Sequence, residues 1–258
     1  MADELIFRRE GQLPLGRPER EVAEQFDAGL FVSSAEATMF CQLAPESAHK
    51  VGYYNNGVNS DYFAPDPGFP NPYSPDAEVL VFTGAMDYWP NIDAVSWFAR
   101  QVFPRLRAAR AGLEFYVVGS SPATEVKQLA QLPGVTVTGR VEDEALPATR
   151  AGRRGTDAHC PRCSEQGVEA MAMAKPVIVS AKGLEGIDAV HGQHVLLADT
   201  AGDYLDALQQ VLNGAHRGLG QSARDHISGC FNWDANLPEV VYLLAGRPPA
   251  APLEKASA

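Results

Sequence analysis

Apolar positions in this chain fall into short strand-like runs divided by segments of helical spacing. Glu21 to Phe26 is amphipathic, Leu30-Phe31-Val32 reads as a short strand, and Ser34 stands as the cap of a helix running through Leu43. Val51 to Tyr54 is a second strand that runs into Asn55-Asn56-Gly57, a strong turn signal. Residues 64–77 hold five prolines and no period, the composition of a linker. Beyond them the pattern becomes a repeat of strand, glycine and helix. Val79–Phe82 ends at Gly84, Phe115–Val118 at Gly119, and Val135–Val137 at Gly139. Val177–Val179 and Val195–Leu197 are further strands. Pro90 stands near the start of a long helix whose Ile92, Val95, Phe98, Val102 and Leu106 share one face, and Pro104 is expected to kink its last turn. Three weaker helical stretches run from Gly202 to Leu244, and Arg247–Ala258 is a Pro/Ala tail expected to be disordered.

Repeated strand–glycine–helix units predict an α/β fold, a parallel sheet with helices on both faces. Ligands of such sheets bind beyond the carboxyl ends of the strands, where Gly84, Gly119 and Gly139 all fall. One glycine there permits a tight turn and nothing more; three at one edge favour a ligand site. The stretch 145–168 breaks the pattern. A strand belongs between 135–137 and 177–179, yet this stretch has no apolar run and no period, and a structureless loop of that length does not suit a compact domain.

Composition narrows the field. The net charge of −11 leaves no basic face for nucleic acid, and a phosphate site must rest on local dipoles and a few cations. No apolar run is long enough to span a bilayer, and the charged start MADELIFRREGQ does not read as a secretory signal, so a cytoplasmic protein with reduced thiols is expected. Cys160 and Cys163, preceded by His159, have metal-like spacing, but Cys41, Cys230, His191 and His194 supply no second pair, so no metal site is expected. His49, His191, His194, His216 and His226 lie in polar contexts that suit surface or capping roles, and Trp89 and Trp97 suit core or cleft packing. A nicotinamide-dependent dehydrogenase is disfavoured because FTGAMDYW holds a single glycine. Glu169 opens a helix that feeds the strand 177–179. A carboxylate there suits the helix dipole and could accept ribose hydroxyls, although a plain first-turn glutamate is the simpler reading of that motif alone.

Several blocks together carry a resemblance. EAMAMAKPVIVS resembles the LEAMAxGxPVV block of the retaining GT-B glycosyltransferases, glycosyl transferases group 1, and Asn56-Gly57-Val58-Asn59 followed by Phe63 resembles their inter-domain hinge. VLVFTGAMDYWPNIDAV, FYVVGSSP, VTVTGRVED, GLEGIDA and FNWDANL resemble a narrower group, the sugar transferases of PEP-CTERM/exosortase polysaccharide systems. The resemblance implies Rossmann-like domains, a nucleotide-diphosphate sugar as donor, transfer with retention, and no cofactor or essential metal. It implies a glycan or lipid-linked acceptor and allows peripheral association with the inner face of the membrane. Carried over, Glu169 holds the donor ribose. Gly84, Ala85 and Met86 let backbone amides approach the pyrophosphate, and Gly119 with the Arg140-Val141 turn borders the nucleobase. No catalytic side chain is assigned. Residues 1–63 read as the remnant of an acceptor domain with its hinge, 64–78 as linker, 79–246 as the donor domain and 247–258 as the tail.

Two departures bear on activity. The family's acceptor domain is longer than residues 1–60, and Asn59 stands where the hinge usually has Asp. Within 145–168 the family's cations and glycine turn are missing. Arg150, Arg153, Arg154 and Arg162 are not in equivalent positions, and Pro161 occupies the first position of the paired-glutamate motif. Impaired transfer is therefore expected, the alternative being a degenerate or non-catalytic nucleotide-binding protein. Codons for 145–169 read one base later permit RYLQHARAVVVPMRIARGVQNKVL, which restores an apolar strand and resembles the family's sequence ahead of Glu169. The segment is accordingly expected to be out-of-frame translation between two compensating indels. DNA sequencing across codons 140–172 tests this: codons unable to encode the shifted string would end the idea.

Overall fold

The computed structural model of the chain describes residues 17–66, 68, 73, 77–141, 158–159, 164–184, 186–233, 236–237 and 240–241. Most of the proline-rich linker, residues 142–157 and 160–163 with Cys160 and Cys163, and the tail 247–258 lie outside the described residues. The chain forms two compact units, Met1–Gly57 with Trp233–Ala258, and Val58–Asn232.

The smaller unit contains α1 (Arg17–Gln25), β1 (Gly29–Phe31), α2 (Ser34–Leu43), a 3₁₀ turn over Pro45–Lys50 and β2 (Val51–Tyr53). The two strands are parallel, with Gly29 opposite Val51 and Phe31 opposite Tyr53. The cap of α2 is Ser33 rather than the expected Ser34. Ser33 has the extended backbone a cap needs, and its Oγ accepts from the Glu36 amide at 3.2 Å. Lys50 Nζ donates to the carbonyls of Glu24 at 3.1 Å and Phe26 at 2.9 Å, which places a cation at the negative end of α1. The glycine of the predicted 55–57 turn has a packing reason as well: a Cβ on Gly57 would come within 2.5 Å of the Trp233 ring.

The larger unit begins with β3 (Glu78–Thr83), followed by α3 (Trp89–Trp97), α4 (Phe103–Ala109), β4 (Leu113–Val118), α5 (Thr124–Leu129) and β5 (Val135–Gly139). Then come β6 (Ala158–His159), α6 (Ser164–Ala172), β7 (Ile178–Val179), β8 (Leu196–Leu197), α7 (Ala201–Leu212) and α8 (Leu219–Cys230). The described strand pairs are all parallel, in a four-stranded sheet of order β5-β4-β3-β6 and a separate β7-β8 pair. The strand missing from the sequence pattern is β6. It is two residues long, with Ala158 opposite Leu80 and His159 opposite Val81.

Alternation along each strand shows that both faces are covered. Leu80 and Phe82 of β3 join Phe115 and Val117 of β4 in one apolar layer with Val95, Phe98 and Leu208 of the helices. Val79, Val81 and Val118 point the other way and pack with Tyr73. Ile178 and Leu196 belong to the first layer too, so β7 and β8 continue it, with no ladder to β6 among the described residues. The helical face predicted from Ile92 to Leu106 is packed or buried throughout. The accommodation of Pro104 is a π turn over Phe98–Val102, in which the Phe103 amide bonds back to the Phe98 carbonyl. The proline then sits in the first turn of α4, where its missing N–H leaves no gap. Trp97 packs edge-on against Tyr204 at 5.5 Å, as expected of a core residue, whereas Trp89 is 54% exposed.

The histidines of the loop before β8 act as caps. His194 Nδ1 accepts from the Val190 amide at 3.2 Å and His191 Nδ1 from the Leu197 amide at 2.9 Å. The His194 ring stacks on His226 of α8 at 4.2 Å. Burial, and then the His226 charge, hold His194 below its ordinary pKa of 6.5 against the opposing pull of Asp188.

Two stability predictions follow from the packing and the titration. Phe98 touches Phe115 at a ring separation of 4.8 Å and Tyr204 at 6.1 Å, so Phe98→Ala is expected to cost about 3–5 kcal/mol in a urea melt. The unfolded chain protonates His194 more readily than the folded one. Stability from this group is therefore complete above pH 6.5 and is lost as the pH falls below it. Urea midpoints measured across that range are expected to drop on the acid side, and His194→Phe to flatten that part of the curve.

Candidate functional site

Three strand ends meet at one edge of the four-stranded sheet. β3 leaves through Gly84–Tyr88 into α3, β4 leaves through Gly119–Ala123 into α5, and β5 ends at Gly139. The turns hold one another by backbone alone. The Gly84 amide donates to the Val118 carbonyl at 3.1 Å, the Gly119 amide to Gly139 at 3.1 Å, the Met86 amide to Ser120 at 3.0 Å, and the Ala123 amide to Met86 at 3.0 Å. A Cβ on Gly119 would lie 1.7 Å from the Gly84 carbonyl oxygen, so the two turns touch where any side chain would part them. Behind them the buried Asn91 donates to the Ala85 carbonyl at 3.0 Å and fills the space a Gly84 side chain would need.

This geometry gives the predicted residues different parts. Met86 is fully buried and its amide is committed to Ser120, as that of Gly84 is to Val118. Ala85 and Asp87 are on the exposed side of the turn, and among the described residues their amides have no protein partner. Helix α3 begins at Trp89 with no acid in its first turn and no side-chain cap, so the positive end of its dipole is not neutralised from within. Gly139 has φ +73°, a left-handed value that suits glycine. It sets up an exposed Arg140, while Val141 packs on the layer of Val79, Val81 and Val118. Gly84, Ala85, Met86, Gly119 and Arg140 thus come together at the sheet edge.

Glu169 comes from a different element, α6, which follows β6, the neighbour of β3 in the same sheet. That helix starts at Ser164, five residues before Glu169, instead of opening at it. The dipole argument therefore does not apply, because its effect fades within the first turn. Glu169 is half-buried, while Ala170, Met171 and Ala172 beside it are buried against Ile227 and Phe231 of the α8 region. The end of α6 is held by Arg224. Its Nη1 donates to the carbonyls of Ala172 and, at 3.0 Å, Phe63, and its Nη2 to Ser60 at 3.3 Å. Neither Arg224 nor Asn91 was marked by the sequence pattern. Pro90-Asn91 after a strand-ending glycine offers a weak signal for the second, and the first has none. Among the described residues no cluster of three His, Cys, Asp or Glu side chains could hold a metal, and no helix is long and apolar enough to cross a membrane.

Residues 77–214, more than half of the chain, match the family described as Glycosyl transferases group 1. No curated protein matches the chain in sequence. Among solved structures, the fold is similar to sucrose-phosphate synthase from Thermosynechococcus elongatus, with a TM-score of 0.71 at 20% identity over 88% of this chain and 60% of that one. It is also similar to Anabaena HepE in complex with UDP and glucose, with a TM-score of 0.67 at 16% identity over 89% of this chain and 66% of that one. A glycosyltransferase from Rickettsia africae gives 0.71 at 13% identity over 95% and 69%. The chain thus spans about 60% of the length of the synthase, and at these identities the likeness is one of fold.

The contact between the two turns makes a sharp prediction. Gly119→Ala is expected to cost upward of about 3 kcal/mol, because the obstacle is a backbone carbonyl that cannot rotate away. Gly112→Ala, where a Cβ meets nothing within 4 Å, is expected to stay within about 0.5 kcal/mol of the parent in the same urea melts.

Proposed function

Because this chain belongs to the group 1 glycosyl transferases, we propose that it grips a nucleotide-diphosphate sugar at the edge formed by the ends of β3, β4 and β5. The proposal includes transfer of the sugar, with retention, to a glycan or lipid-linked acceptor of a PEP-CTERM-type polysaccharide system. The observation that carries the donor site is the Gly84–Gly119 approach beside the acid-free start of α3. Backbone there can come close to a diphosphate, and the departing charge meets amides and a helix dipole. That HepE, a protein of the same fold, was solved with UDP supports the donor class. In this reading Glu169 accepts the ribose hydroxyls, Arg140 and Val141 with Gly119 border the base, and no metal is required. The same reading puts the reaction in the cytoplasm, with a lipid-linked acceptor drawing it to the inner face of the membrane.

A second reading, nucleotide binding with little or no transfer, is favoured by one observation. Between β5 and α6 the sequence lacks the family's cations.

Titration calorimetry with UDP, GDP and ADP tests the donor site. One of them is expected to bind, with Glu169→Ala weakening it about tenfold through lost hydrogen bonds to a charged acceptor. Sugar transfer at ordinary enzyme rates would select the first reading. Binding without transfer would select the second, and no binding at millimolar nucleotide would remove both.

A further inference from the structure

Arg224 lies half-buried on α8 and joins two parts of the larger unit that are far apart in sequence. One partner is the carbonyl of Ala172, at the last residue of α6. Such a carbonyl has no acceptor role within the helix and sits at the negative end of its dipole, so a cation there is doubly favoured. The others are the carbonyls of Ser60 and Phe63. These belong to a turn closed by the Phe63 amide on the Asn59 carbonyl at 2.9 Å and by the Tyr62 amide on Asn59 Oδ1 at 2.9 Å. The turn is anchored from below as well. Val58 and Phe63 are buried with Met171 and Met173, and the Val58 amide donates to the Phe231 carbonyl at 2.6 Å. A planar guanidinium can serve carbonyls on two sides at once, which the single ammonium of a lysine does less well.

Glu169 stands one helical turn before Ala172 on the same helix. We propose that Arg224 is a positioning residue for the donor site: it fixes the axial position of α6 against the 58–63 turn, and so sets where the Glu169 carboxylate meets the nucleotide. This rests on the reading of Glu169 as a donor ligand. Its consequence is that nucleotide affinity depends on the 58–63 turn, although no residue of that turn touches the nucleotide in that reading.

The test combines Arg224→Lys, Glu169→Gln and the double variant. It uses the nucleotide diphosphate found to bind in the calorimetric comparison, together with urea melts and amide hydrogen exchange. Arg224→Lys is expected to fold, to speed exchange in both 58–64 and 172–175, and to weaken binding on the order of tenfold. Because Arg224 acts through Glu169, the double variant is expected to bind no more weakly than Glu169→Gln alone. Asn59→Ala loosens the same turn from its other end and is expected to weaken binding in the same direction, which covers the case in which Arg224 variants do not fold. Unchanged affinity in Arg224→Lys, or losses that add in the double variant, would reduce Arg224 to a stability role and overturn the proposal. A parent protein that binds no nucleotide would overturn it together with the donor site. The exchange data would then still report whether Arg224 links the two segments.

Discussion

A Cβ on residue 119 would sit 1.7 Å from the Gly84 carbonyl oxygen, and the candidate site depends on its absence. The ends of β3 and β4 can close on each other only through bare backbone. That closure orders the rest. It lets the Met86 amide reach Ser120, the Ala123 amide reach Met86, and Asn91 pack beneath Ala85. The residues left facing outward, Ala85 and Asp87, do so because Gly84 and Met86 have been consumed as supports. The division between support and exposed rim is thus a consequence of one steric fact.

On the other side of β3, packing carries the layer beyond the described strand pairs. Among the described residues no ladder joins β6 to β7, yet Ile178 and Leu196 remain in one apolar layer with Leu80 and Phe115. Burial is non-directional and follows area, whereas a ladder needs register. Side-chain packing therefore continues where the described strand pairing stops. α6 takes its placement from packing as well. It is located from behind, by buried Met171 and Met173 and by Arg224 at its carboxyl end.

How much of this was legible follows from which forces are local. The strands 79–82, 115–118 and 135–137 and the face from Ile92 to Leu106 were readable because period-2 and period-3.6 burial is written directly in residue order. The glycines at the strand ends were readable as an edge, but not their unequal duties, since Gly119 is required by a carbonyl 35 positions away. The start of α6 was misplaced because its first turn falls in the aperiodic stretch before Glu169. Ser33 and Ser34 could not be told apart as caps without the backbone angle that makes one of them extended. Arg224 had no signal at all: its partners are backbone carbonyls, which every residue offers and no sequence marks.

In an acidic chain a helix start is open to an anion only where no carboxylate of the helix already satisfies it. Helices α1, α2, α5 and α7 each carry an acid in the first turn, and in α7 Asp203 completes a capping box with Thr200. Those carboxylates already satisfy or neutralise the helix starts they occupy. Helix α8 lacks one, but its start abuts the Ala174 carbonyl, against which a Cβ on Gly220 would lie at 2.0 Å. Helix α3 has neither an acid in its first turn nor a side-chain cap, and it begins directly after the Gly84 turn, whose exposed Asp87 precedes the cap and does not satisfy the first-turn amides with its side chain. At a net charge of −11 a diffuse attraction for an anion is ruled out, and among the described residues the start of α3 is where strand ends, bare backbone and an uncapped dipole coincide.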